Sequence, residues 1–220
     1  AVAGLGDVKL YPRRLVLDGR TRVATIGLYN RTANQGDYEI SLIDMAMTPD
    51  GQLLAFDNGV DAATQARVRT AGELVRFSPR RVSLLGNEAQ TVRVMARPGA
   101  ELPPGEYRSH FTVVSVPPDV GGGTIDEATG AISGEEIGVT IRPRFGISIP
   151  VILRLGETTL QTGIADPQVL SAPDGSKAIA FTITRAGTRS AYGDITVSAP
   201  GSAAPVAQSR GIGVYPEVDS

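Results

Sequence analysis

Between residues 137 and 153 every odd position is apolar: Ile137, Val139, Ile141, Pro143, Phe145, Ile147, Ile149, Val151 and Leu153. The even positions through 154 hold Gly138, Thr140, Arg142, Arg144, Gly146, Ser148, Pro150, Ile152 and Arg154, a small and polar face with a basic pair near its middle. A helix cannot hold such a pattern on one side, because its side chains return to a face every three or four residues, whereas successive side chains of a strand point to opposite faces. So long an alternation commits the chain to a sheet with one apolar face. The backbone chemistry agrees, since 26 glycines and 15 prolines among 220 residues disfavour helix interiors while Val, Ile and Thr are spread throughout. The expected fold class is all-β.

Shorter runs of the same period lead up to this strand, bounded by turn residues. Strands are expected at Val8 to Tyr11, Leu15 to Leu17, Val23 to Tyr29, Tyr38 to Met47, Leu53 to Phe56, Val75 to Phe77, Thr91 to Ala96 and Tyr107 to Val116, with a short helix within Val60 to Ala71. Turns are expected at Asp18-Gly19, Pro49-Asp50-Gly51 and Asp57-Asn58-Gly59. The spacing suits a β-sandwich. Residues 117–136, with Pro117-Pro118 and Gly121-Gly122-Gly123, read as a long loop. After Leu155 the chain becomes richer in Ala, Ser, Thr and Gly, with strands expected at Ala178 to Thr184, Asp194 to Ser198 and Ile212 to Tyr215. A domain boundary is placed there, giving domains 1–155 and 156–220, the second reading as one or two strands short and the chain as truncated.

Charge and chemistry exclude several function classes. With 21 Lys+Arg against 23 Asp+Glu and a net charge of -2, a phosphate-tracking nucleic-acid surface is not expected. No apolar run reaches the roughly 18 residues of a spanning helix, so no membrane insertion is expected. Cysteine is absent, which removes disulfides and thiolate chemistry and leaves the redox compartment unmarked. The chain opens Ala1-Val2-Ala3-Gly4 with no charged or apolar leader, a start compatible with a processed export substrate that decides nothing either way. The single histidine, His110, lies inside an expected strand and reads as structural. Asp50-Gly51, Asp57 to Gly59 and Asp174-Gly175 read as turns rather than calcium loops, and the glycine triplet precedes no helix pattern. No catalysis, cofactor or metal is expected.

Two readings of the 137–153 strand stay open on the residues alone: it feeds its own core, or its apolar face is lent to a partner. Arg13 and Arg14, beside Tyr11-Pro12, read by themselves as a solvated strand edge.

Taken in order, several segments resemble the periplasmic pilus-assembly chaperones of the chaperone–usher pathway, the PapD-like family. They are Tyr11-Pro12-Arg13-Arg14-Leu15-Val16-Leu17-Asp18-Gly19, Gly27-Leu28-Tyr29-Asn30-Arg31, Arg76-Phe77-Ser78-Pro79-Arg80-Arg81-Val82 and Gly86-Asn87-Glu88-Ala89-Gln90-Thr91-Val92-Arg93-Val94. Leu102-Pro103-Pro104-Gly105-Glu106-Tyr107-Arg108-Ser109-His110-Phe111, Val116-Pro117-Pro118 and Ile149-Pro150-Val151-Ile152-Leu153-Arg154 complete the series. The Ile-Pro-Val step and the glycine-rich loop resemble the archaic, spore-coat-U-associated branch.

The resemblance implies two immunoglobulin-like domains set at an angle, in the periplasm. It implies a pilin-like subunit bound by donor-strand complementation and delivered to an outer-membrane usher. The donor strand would be 137–154, with Ile137, Val139, Ile141, Phe145 and Ile147 entering the subunit groove. Five such side chains would contribute about 8 to 15 kcal/mol before ordering costs. Arg14 aligns with the arginine that holds the subunit's terminal carboxylate. The family's second cleft residue, a lysine, corresponds to Pro150; Arg142 or Arg144 replaces it if the strand is shifted, and otherwise the two arginines read as a solvated face. Arg154 aligns with the domain-junction arginine, whose usual acidic partner corresponds to Arg108, so that this ion pair is either absent or rebuilt with Glu106. An exposed edge of this kind is also one that a self-capping homodimer can cover. The competing classes are a structural or adhesive β-sandwich protein such as a pilus subunit and a hydrolase on a β-scaffold, the second disfavoured by the lone His110.

Overall fold

The computed structural model describes residues 8–99, 101–117, 146–171 and 173–218. Its first half runs β1 (Val8–Tyr11), β2 (Leu15–Leu17), β3 (Val23–Asn30), β4 (Gly36–Ile43), β5 (Met45–Met47), β6 (Leu53–Ala55), α1 (Ala62–Arg67), β7 (Val75–Ser78), β8 (Arg81–Leu84), β9 (Ala89–Ala96), β10 (Gly105–Val116) and β11 (Gly146–Leu155). Then follow β12 (Leu160–Ser171), β13 (Lys177–Gly187), β14 (Ala191–Val197) and β15 (Ala207–Val214). Among the described residues the chain is all-β apart from one helical turn and a half.

A four-stranded sheet in the order β1-β3-β9-β7 packs on a five-stranded sheet in the order β2-β11-β10-β4-β8. Alternation decides which side chains meet between them. Ile26 and Leu28 of β3 and Val92 and Val94 of β9 come from one sheet, Phe111 and Val113 of β10 and Val151 and Leu153 of β11 from the other, none more than 2% exposed. Phe111 meets Phe77 edge to face at 5.7 Å. Thus the odd positions of β11 from Ile149 to Leu153 fill the protein's own core. Ile152, on the opposite face, joins a second cluster with Met47, Ala191, Val214, Tyr215 and Val218, which ties the two halves together.

The expected Tyr38 to Met47 strand is broken at Asp44. Its carboxylate accepts from Ser109 Oγ at 2.5 Å and its carbonyl from Phe56 N at 3.0 Å, so the chain leaves β4 and begins the separate β5–β6 hairpin. The helix within Val60 to Ala71 is α1, capped by Asp61, whose side chain accepts from Thr64 N at 2.9 Å. Two strands had no expectation. β8 is a four-residue strand just after Ser78-Pro79 that buries only Val82 and Leu84. β12 has a register shift between Ala165 and Gln168, where Asp166 takes a positive φ of 50° and Pro167 has no N–H to offer.

Among the described residues, the strands after Leu155 pair with one another, as β12–β13 and β14–β15. The turn into them needs glycine at Gly156: φ is +62°, and a Cβ there would stand 2.9 Å from Pro104.

Candidate functional site

β10 is buried on both faces, which is unusual for a sandwich strand whose outer side is polar. Its odd residues enter the core, while Glu106, Arg108, His110 and Thr112 point the other way, the first three against Ser190, Glu217 and Tyr215 of the second half and Thr112 against Ser148. Buried polar groups at this density need partners. Arg154 on β11 lies directly across from Glu106 in the strand register and donates from Nε to Oε2 at 3.0 Å. The other Glu106 oxygen accepts from the Ser190 backbone N–H at 3.2 Å.

Arg14, just before β2, reaches the same place. Its Nη2 donates to Ser190 Oγ at 2.7 Å, and its guanidinium lies 4.5 Å from the Tyr192 ring centroid. Nη1 of Arg14 is buried with no hydrogen-bond partner among the described residues. Burial lowers the affinity of this guanidinium for its proton, against the opposing pull of Tyr215 and Glu106.

Around Arg14 the surface opens into two adjoining lobes. One, of about 500 Å³, is lined by Arg13, Arg14, Arg154, Arg189, Ser190 and Tyr192 among others. The second, of about 320 Å³, is lined by Arg13, Arg14, Pro150, Arg210, Asp194 and Tyr215 among others. The arrangement is a cationic cleft with aromatic walls, suited to an anion. Of the residues named from the sequence for this cleft, Arg14 is in it. Arg142 and Arg144 lie outside the described residues. Arg13, Arg189 and Arg210 were not anticipated as cleft residues; Arg189 and Arg210 come from the second half, and no local pattern marks either of them.

Arg154 pairs with Glu106, the rebuilt form of the two outcomes left open by the sequence. A second ion pair had no forewarning. Arg108 binds Glu217 in bidentate fashion, at 2.5 and 3.2 Å, and also donates to Met45 O at 2.8 Å. Tyr215 stacks under the guanidinium at 3.7 Å. His110 is 1% exposed, lies edge to face against Tyr215, and makes no hydrogen bond from either ring nitrogen among the described residues. Burial, with Arg108 adding to it, pushes its pKa down to about 3. An imidazole held neutral and unpartnered is a packing element.

Beside the cleft runs the edge of the five-stranded sheet. β11 pairs with β10 along its whole length, but its other side meets β2 only at Val151, Ile152 and Leu153. Gly146 to Pro150 therefore have no strand on that side among the described residues. Pro150 stands where the β2 pairing stops. Ile147 is 37% exposed while Ile149 is 4% exposed. Ile137, Val139, Ile141 and Phe145 lie outside the described residues. Among the described residues there is no cluster of three or more His, Asp or Glu that could hold a metal, and no helix is long and apolar enough to cross a membrane.

No family model matches the chain, and no curated protein matches its sequence. Its fold does match solved structures. A chain from a chaperone–tip adhesin complex, described as vital for synergistic activation of CFA/I fimbriae biogenesis, aligns over 96% of this chain and 82% of its own, with 13% identity and a TM-score of 0.50. The E. coli chaperone DraB aligns over 90% and 76%, with 12% identity and a TM-score of 0.47. A complex of the CsuC chaperone with the CsuE tip adhesion subunit, from archaic chaperone–usher pili of Acinetobacter baumannii, aligns over 96% and 87%, with 12% identity and a TM-score of 0.44. On the first of these alignments, the chain shares its all-β fold with a chain of that chaperone–tip adhesin complex over nearly its whole length.

Proposed function

We propose that this protein is a periplasmic chaperone that binds pilin-like subunits, lends them a β-strand and delivers them to an outer-membrane usher. Residues 1–155 act as the binding domain and residues 156–220 as the second. The observation that carries the reading is the bare edge of β11 next to the cationic cleft. From Gly146 to Pro150 no strand among the described residues pairs on the side away from β10, and Ile147 stands exposed at its start. A partner strand laid there would extend the sheet by main-chain hydrogen bonds, with Ile137, Val139, Ile141, Phe145 and Ile147 filling a subunit groove. Arg14 anchors the subunit's terminal carboxylate and so sets the register.

The test is native mass spectrometry of the protein made in the periplasm of its own host. A one-to-one complex with a small pilin-like protein is expected. It should disappear in Ile147→Asp and in the combined Ile137→Asp, Val139→Asp, Ile141→Asp variant. A protein that arrives alone, and behaves identically as either variant, points to the structural β-sandwich reading instead.

A further inference from the structure

Two arginines that line the larger lobe of the cleft each hold a buried nitrogen with no hydrogen-bond partner among the described residues, Nη1 of Arg14 and Nε of Arg189. Leaving a buried donor unsatisfied costs more than the bond it forgoes, and most of all on a charged group. The lobe offers no internal remedy. Its lining includes Arg13, Arg14, Arg154 and Arg189, and no acidic residue. Glu106, the carboxylate behind it, is already taken up by Arg154 and by the backbone of Ser190.

The loop carrying Arg189 is held from several directions. Thr188 N and Arg189 N donate to Thr159 O at 2.9 and 3.3 Å. Arg185, 6% exposed, donates from Nη1 to the carbonyls of Gly187 and Arg189 at 2.8 and 3.1 Å. Ser190 is bonded to Glu106 through its N–H and to Arg14 through its hydroxyl. Arg189 is thus presented from a fixed backbone, next in sequence to the serine that Arg14 grips. A planar acceptor with two oxygens fits this pair of cations, as each oxygen can take a donor from one of them. Pro150 supplies no cation to the cleft.

We propose that Arg189 is the second cation of the carboxylate site, so that a bound terminal carboxylate bridges Arg14 of the first half and Arg189 of the second. This rests on the subunit-binding reading above and extends it. Subunit binding then holds the two halves of the chaperone against each other, and release frees them.

The first experiment needs no subunit. Arginine Nε–Hε signals of the protein are assigned with Arg14→Lys and Arg189→Lys, then followed during titration with acetate and, as an uncharged control, acetamide. Acetate is expected to move both signals with one dissociation constant, and acetamide neither. Arg189→Ala should weaken acetate about tenfold or more, the loss of one charge-assisted bond, with Arg189→Lys recovering part of it. Thermal midpoints show whether either variant has lost its fold. Movement of the Arg14 signal alone, or unchanged acetate affinity in a folded Arg189→Ala, overturns the proposal.

The second experiment separates it from the reading it rests on. If Arg14→Ala loses the subunit while Arg189→Ala keeps it, Arg189 has no part and subunit capture stands. If both lose it, the bridge is supported. If neither does, or if the wild-type protein captures no subunit, the bridge has no subunit carboxylate to hold and falls.

Discussion

Arg108 and Glu217 stand 109 residues apart and meet as a bidentate ion pair, with side chains 3% and 1% exposed. Glu217 also accepts from Met47 N at 2.8 Å, so one carboxylate from near the chain's end ties β10 and the β5–β6 hairpin to the second half. With Tyr215 under the guanidinium, the pair sits inside the junction between the two halves.

A buried pair is costly to form and costlier to break. Glu217→Ala should lose about 3 to 5 kcal/mol in urea unfolding, because Arg108 is left charged and buried. The combined Arg108→Met, Glu217→Leu variant should lose far less. A single variant that unfolds like wild type would show that the junction opens to water without it.

Acid should weaken the fold through His110. Its folded pKa of about 3 lies below the roughly 6.5 of an unfolded histidine. Between these values the unfolded chain takes up the proton and the folded one does not, so stability is retained above about pH 6.5 and falls as pH drops toward 3. The loss is about 2 kcal/mol at pH 5 and on the order of 4 to 5 kcal/mol at pH 3. His110→Leu removes this part. Urea midpoints measured from pH 7 to pH 4.5 should diverge between wild type and variant, and parallel curves would mean that the imidazole is protonated in place.

Asn30 is fully buried where β3 ends and serves as a polar staple. Its amide donates to the carbonyls of Asn34, Leu84 and Leu85 at 2.8, 3.3 and 3.0 Å, and its oxygen accepts from Thr32. Asn30→Ala should cost about 2 to 4 kcal/mol, since several carbonyls lose their donor at once. Asn30→Asp should cost more, because a carboxylate cannot donate and faces those same carbonyls. Equal losses in denaturant titrations would argue against this account.

Two neighbours on β11 should behave oppositely. Ile149, 4% exposed in the core, should lose about 2 to 5 kcal/mol as Ile149→Ala. Ile147→Asp, at a 37% exposed position on the free edge, should change stability of the unbound protein by about 0.5 kcal/mol or less. Scanning calorimetry of both variants checks this, and a large loss for Ile147→Asp would place that side chain in the core.

Much of the first sandwich was legible because a strand's period is local. The alternation at β3, β9 and β10, and the Asp18 turn, whose carboxylate accepts from Arg20 N and Thr21 N at 2.8 and 2.7 Å, can be read from neighbouring residues. β8 was missed because it is short and buries only two side chains, and β12 because Asp166 and Pro167 interrupt its period. The break at Asp44 depends on Ser109, 65 residues away.

The same division separates the site from the fold. By itself the sequence determined that the chain is all-β, that it has no cysteine and that its only histidine sits in a strand, while Arg14 and Arg154 were singled out only through the family resemblance. The tertiary structure alone decided that the odd side of β11 from Ile149 onward faces the protein's own core and that Ile152 on the even side faces the second half. It alone put Arg189 beside Arg14's serine and Glu217 on Arg108. Alternation needs only the pleat of one strand, whereas the meeting of charges depends on register, on the sheet edge left bare and on how two halves pack, none of which is encoded within a few residues.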